Sequence, residues 1–137
     1  MTDAEMDVEV APWERMDPIW TLLAYRMARF ASDMVRADLR SADGRVPITV
    51  RDQLLRATAS VSANIGEGYS RATGRERARF YSYALGSTRE SVTWYSTLMD
   101  ELPSGVGAAR IALLTRIRRL LLGLIRSSAR APRSSRP

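Results

Sequence analysis

The sequence contains neither cysteine nor histidine. Without cysteine there is no disulfide and no thiolate metal site. Without histidine the chain lacks the side chain most used as general base, metal ligand and pH switch. Any chemistry would fall to Asp, Glu, Tyr, Ser or Arg, and the composition points to a protein that is not an enzyme and needs no cofactor. Lysine is missing as well, so all 21 basic residues are arginine. Aromatic residues make up only 7%. No apolar run is long enough to span a bilayer; the longest, 111–125, is interrupted by Arg116, Arg118 and Arg119. The amino terminus carries Asp3, Glu5, Asp7 and Glu9, the wrong sign for a secretory leader. A cytoplasmic protein with no membrane contact is expected.

What is present suits one domain: 137 residues, 45% of them hydrophobic. The net charge of +6 is unevenly spread. Residues 1–43 hold nine acids and five arginines, residues 44–137 six acids and sixteen arginines. After Glu101 there are eight arginines and no acid. That asymmetry points the second half toward an anionic partner. Exclusive use of arginine suits bidentate phosphate recognition, but the simpler reading is a genome rich in G and C, which favours arginine codons.

Apolar residues recur at three- and four-residue spacing throughout, and no segment alternates as a strand does. The pattern divides into an acidic arm (1–16), a helical domain (17–128) and an Arg/Ser/Pro-rich tail (129–137), with arm and tail expected to be flexible. Asp17-Pro18 predicts the cap of helix 1, running to about Leu39 on a stripe that includes Ile19, Leu22, Leu23, Met27, Phe30, Met34 and Val35. Helix 2 is expected from about Thr49 to Tyr69, with Leu54, Thr58, Val61 and Ile65 inward and a second face of small residues. Thr73 and Glu76 form a capping box for helix 3. That helix is expected to reach Leu102 and to bury Phe80, Ala84, Ser87, Ser91, Trp94 and Leu98, with Tyr83 in the core and Tyr69 and Tyr81 exposed. Ser104 predicts the cap of helix 4, which ends near Ser128. Four helices on short connections make an all-α, antiparallel up-down four-helix bundle.

The stretch DQLLRATASVSANIGEGYSRATGRERARFYSYALGSTRES, residues 52–91, resembles the bacterial four helix bundle proteins, also known as 23S rRNA intervening-sequence or S23 ribosomal proteins. Gln53, Leu54, Arg56 and Ala57 match the start of their second helix. Asn64, Ile65, Glu67 and Gly68 match their Asn-Ile-Ala-Glu-Gly signature, with Gly66 where alanine is usual. Arg71, Phe80, Ala84, Gly86, Ser87 and Glu90 match the linker and third-helix signature. The family is in turn similar to accessory proteins of diversity-generating retroelements. The resemblance implies a homo-oligomeric ring, a pentamer for preference, with binding of RNA or DNA and of a partner reverse transcriptase through basic surfaces.

Two sets of residues follow. Asn64, Glu67, Gly68, Gly86, Ser87 and Glu90 read as a structural motif: small residues for close approach of helices 2 and 3, polar ones for hydrogen bonds across it. Glu67 and Glu90 as an acid–base or Mg²⁺ pair is the competing reading. Arg71, Arg75, Arg77 and Arg79 at the helix 2–3 turn, with Arg116, Arg119, Arg126 and Arg130 on helix 4, read as nucleic-acid contacts, since phosphate binding needs charge without sequence readout. The alternatives are a protein-assembly scaffold without nucleic-acid binding and, for helix 4, a membrane-surface helix.

Overall fold

In a computed structural model, residues 10–42 and 44–130 are described. Four long helices account for most of them: α1 (Leu23–Ala42), α2 (Ile48–Tyr69), α3 (Gly74–Thr97) and α4 (Val106–Ala129). Among the described residues there is no strand. Each helix packs on the next and α1 also meets α4. The short connections force successive helices to run antiparallel. α2–α3 and α3–α4 are the intimate pairs, and α1 lies more loosely against α2 and α4. Residues 1–9 and 131–137, most of the expected arm and tail, lie outside the described residues.

The helix boundaries follow local chemistry, with three departures from expectation. Asp17 caps only a 3-10 turn, Pro18–Thr21, its carboxylate accepting from the Ile19 amide at 2.9 Å. Leu22 is extended (ψ 108°), which breaks the run, so α1 begins at Leu23 rather than Pro18. At the other end of the bundle α3 stops at Thr97, and Met99–Glu101 tighten into a 3-10 turn instead of continuing to Leu102. The cap position of α4 belongs to Gly105, not Ser104: its φ of +84° is a left-handed conformation that favours glycine. Thr73 caps α3 as expected, its Oγ1 accepting from the Glu76 amide at 3.2 Å. Before α1, a turn at Pro12–Arg15 is tied down by Glu14, whose carboxylate accepts from Arg29 Nη2 at 2.6 Å. The Arg29 hydrogen bond holds the Glu14 carboxyl below its ordinary pKa.

Met27, Val35, Leu54, Val61, Ile65, Leu114, Ile117 and Leu121 form the centre of the core, all almost wholly buried. The larger of these each contribute roughly 1.5–3 kcal/mol by leaving water. Ala24, Ala28 and Ala31 are the small buried residues of α1. The inward face of α3 is rotated from the expected one. Tyr81, Ala84, Leu85, Thr88, Ser91 and Tyr95 are buried, and Leu98 just beyond the helix with them. Phe80 and Trp94 are only half-buried. Tyr81, expected outside, is 3% exposed, and Tyr83, expected inside, is 46% exposed. Phe80 and Tyr83 instead meet edge to face near the surface, ring centroids 5.6 Å apart.

One buried polar junction crosses this core. Tyr95 Oη donates to Asp38 Oδ2 at 2.6 Å. Arg110 grips the same carboxylate with two bonds, Nε to Oδ2 at 2.8 Å and Nη2 to Oδ1 at 3.1 Å. Three helices, α1, α3 and α4, are thereby pinned at one carboxylate. Burial, then the hydrogen bond to Asp38, pushes the Tyr95 hydroxyl pKa far up. The Asp38 hydrogen bonds likewise raise that of Arg110.

Candidate nucleic-acid interface

The signature residues of α2 and α3 divide into two behaviours. Asn64 Nδ2 donates to the Ser60 carbonyl at 2.9 Å and lies 3.0 Å from Ser60 Oγ, and that hydroxyl is 2.9 Å from Ser87 Oγ on α3. Glu90 accepts from Arg56 of α2 at 3.1 Å and from the Trp94 indole at 3.3 Å. These groups do cross-link the two helices. Gly68 permits their closest approach: a Cβ there would lie 2.8 Å from the Tyr81 ring. Glu67 and Gly86 depart from expectation. Glu67 is exposed and pairs with Arg71 one turn on, at 2.9 Å, within the same segment of chain. Such a pair contributes about 0.3–0.5 kcal/mol. Gly86 faces open space, with nothing within 4 Å of a Cβ placed on it. The Glu67 and Glu90 carboxylates thus sit in separate arginine pairs. Among the described residues no group of three or more potential ligands could hold a metal ion.

The arginines of the α2–α3 turn are largely committed to local structure. Arg71, besides Glu67, lies over the Phe80 ring at 4.6 Å. Arg77 Nη1 donates to the Arg71 carbonyl at 3.1 Å, and Arg79 Nε to the Tyr83 hydroxyl at 2.7 Å. Arg75 alone of the four projects without such a contact. On α4, Arg116, Arg119 and Arg126 are exposed and have no acid partner among the described residues. Arg130 folds back on the Arg126 carbonyl at 3.3 Å and closes the helix. Arg118 is half-buried and, with Arg89, flanks a small cleft of about 90 Å³ between α3 and α4, which Thr115 also lines.

A larger basic feature lies elsewhere. Arg36 and Arg40 of α1 face Arg51 and Arg56 of α2 across a groove of about 510 Å³. Leu39 and Leu55 supply its apolar surface, and Ser32 and Ala59 are small enough to leave it open. No acid lines it. Arg56 is engaged by Glu90, whereas Arg36, Arg40 and Arg51 have no ion-pair partner among the described residues. The Nε of Arg51 is buried without an acceptor. At the adjacent end of α1, Arg45 donates to the Ala42 and Ser41 carbonyls at 2.8 and 3.2 Å, satisfying the helix terminus. Sequence reasoning missed the groove. The available signal was the i, i+4 pair Arg36/Arg40 on the face turned toward Arg51 and Arg56.

The sequence profile of the 23S rRNA-intervening sequence proteins matches residues 24–102, more than half of the chain. The chain belongs to this family. The match takes in α1 to α3 and stops before α4, so the cross-linked α2–α3 pair and the arginine groove both fall inside the family segment, and Arg116, Arg119 and Arg126 outside it. The fold is also that of a crystal structure from the S23 ribosomal protein family of Bacteroides thetaiotaomicron, a protein described as of unknown function. The two agree with a TM-score of 0.68 at 20% identity, over 75% of this chain and 98% of the other. No curated protein matches the chain. No helix among the described residues is long and apolar enough to cross a membrane.

Proposed function

We propose that this family member is a non-catalytic bundle that binds nucleic acid through its arginine surfaces. The observation that carries the reading is α4: Arg116, Arg119 and Arg126 stand exposed on a helix that contains no acid at all. Exposed ion pairs would contribute little to stability even if partners were present, so an unmatched row of guanidinium groups suits an external anion. Phosphodiester backbones are the anion that rewards such a row, because each neutralised phosphate releases counterions. The purified protein is expected to bind labelled RNA at low salt with an affinity that falls linearly on a log–log plot as salt rises. Fluorescence polarisation across a salt series measures it. No binding at low salt, or affinity indifferent to salt, would refute the reading.

A second reading, self-assembly, is favoured by a separate observation. Leu22, Leu23, Leu120 and Leu124 leave an apolar recess of about 220 Å³ between α1 and α4, and Trp13 and Met16 stand exposed nearby in the chain. A homo-oligomer such as the expected pentameric ring would cover this surface. Light scattering is expected to return a multiple of the protomer mass, and Leu124→Arg to return the protomer itself. A monomeric wild-type protein would remove this reading and leave nucleic-acid binding untouched.

A further inference from the structure

We infer that the groove between α1 and α2 seats a single strand of nucleic acid, its phosphates held by Arg36, Arg40 and Arg51. The inference rests on the nucleic-acid reading above and places the strand on different helices from the α4 arginines. Arg36, Arg40 and Arg51 line one recess from two helices together with Arg56, whose guanidinium is engaged by Glu90, and no acid lines it. Arg36, Arg40 and Arg51 have no ion-pair partner among the described residues. Like charges brought together this way repel one another unless an anion lies between them.

Shape narrows the ligand. A volume of about 510 Å³ is several times what one oxyanion fills and lies within the usual range of ligand sites. Arg36 and Arg40 are one helical turn apart, a rise of about 6 Å, close to the step between successive phosphates along a strand. Arg51 meets the same track from the opposite wall. Leu39 and Leu55 offer apolar surface for a ribose or a base face, and guanidinium planes stack on bases. A duplex is too wide to enter a recess between two adjacent helices and would touch only its rim. A flexible single strand follows the groove, and contact through charge and stacking carries little sequence preference.

The test compares an oligouridylate of about 12 nucleotides, within the span such sites cover, with a hairpin duplex of similar charge. The proteins are wild type, Arg36→Ala/Arg40→Ala and Arg116→Ala/Arg119→Ala. Arg36 and Arg40 are exposed, so folding is expected to survive, and circular dichroism melting verifies it. Arg51→Gln removes the third groove arginine as a second, independent variant. Single strand is expected to bind wild type more tightly than duplex. Arg36→Ala/Arg40→Ala is expected to weaken it roughly tenfold and to flatten the salt slope by about 1.4, two phosphate contacts at about 0.7 each. Arg116→Ala/Arg119→Ala is expected to weaken both ligands alike. If wild type binds the oligouridylate and the groove variants bind it equally well, the groove assignment falls and the nucleic-acid reading stands. If duplex binds as tightly and through the same arginines, the single-strand assignment falls. If an acidic peptide but neither nucleic acid occupies the groove, both fall, as they do if wild type binds nothing.

Discussion

Replacing Asp38 by alanine is expected to cost about 3–5 kcal/mol of stability, the usual penalty for removing one partner of a buried ion pair. The Asp38 side chain is 5% exposed and Arg110 18%, so the guanidinium left behind is largely cut off from water. Tyr95, 1% exposed, would lose its acceptor in the same step. At this chain length the loss corresponds to a fall of roughly 10–20 °C in Tm. Tyr95→Phe keeps the ion pair and is expected to cost only about 1–2 kcal/mol. The informative control is Asp38→Leu with Arg110→Met. Apolar replacement of both charges removes the desolvation penalty along with the attraction, so the double variant is expected to be more stable than Asp38→Ala alone. Urea denaturation of the four proteins measures all three differences. A cost below 1 kcal/mol for Asp38→Ala would show that the junction is not what pins α1 to the rest of the bundle.

The second large effect concerns two glycines, one from each signature, that should respond with opposite sign. At Gly68 a Cβ would lie 2.8 and 2.9 Å from two ring carbons of Tyr81 and 3.2 Å from the Arg77 carbonyl oxygen. Neither neighbour can step aside, since the tyrosine is packed in the core and the carbonyl belongs to the α3 backbone. Gly68→Ala is expected to destabilise the protein by about 1–3 kcal/mol through overpacking, beyond what alanine gains in helix propensity. At Gly86 the same substitution meets nothing and should stabilise α3 by about 1 kcal/mol. Thermal melts of the two single variants are enough. Equal shifts in the same direction would mean that Gly68 does not set the α2–α3 spacing.

The fold was legible because its signals are local. Thr73 and Glu76 mark the start of α3, and the Leu54/Thr58/Val61/Ile65 stripe marks the inward face of α2. On α3 the expected Ala84, Ser91 and Leu98 are buried, but Phe80, Ser87 and Trp94 are only half-buried. Phe80 and Trp94 are the bulkiest apolar side chains there, and periodicity counted from them points inward along the wrong line. The buried line runs instead through Tyr81, Thr88, Ser91 and Tyr95. Its polar atoms are acceptable inside because each hydroxyl of Thr88, Ser91 and Tyr95 has a hydrogen-bond acceptor, on the helix itself or on Asp38. The helix 1 boundary failed for a comparable reason: an aspartate–proline cap looks the same in sequence whether it opens an α-helix or one 3-10 turn.

Charge was harder to read than hydrophobicity. Summed over residues 1–43 the chain is acidic, which directs attention away from α1. Yet four of those acids lie between Asp3 and Glu9, and α1 itself carries Arg26, Arg29, Arg36 and Arg40 against Asp33 and Asp38. The groove emerges only when the C-terminal half of α1 is set beside the first turns of α2. The dense run from Arg71 to Arg79 drew attention instead, although Phe80, Tyr83, Glu67 and a backbone carbonyl already engage three of its four arginines.

The last helix bears on what counts as a folding unit. The family profile ends at residue 102, but Leu113, Leu114, Ile117 and Leu121 of α4 are all buried. A polypeptide cut where the profile stops would leave the α3 face that α4 covers open to water. The segment that the family profile matches is therefore shorter than the part that folds together. The buried inner face of the fourth helix ties it to the other three, and the folding unit therefore extends past the family segment to at least Leu121.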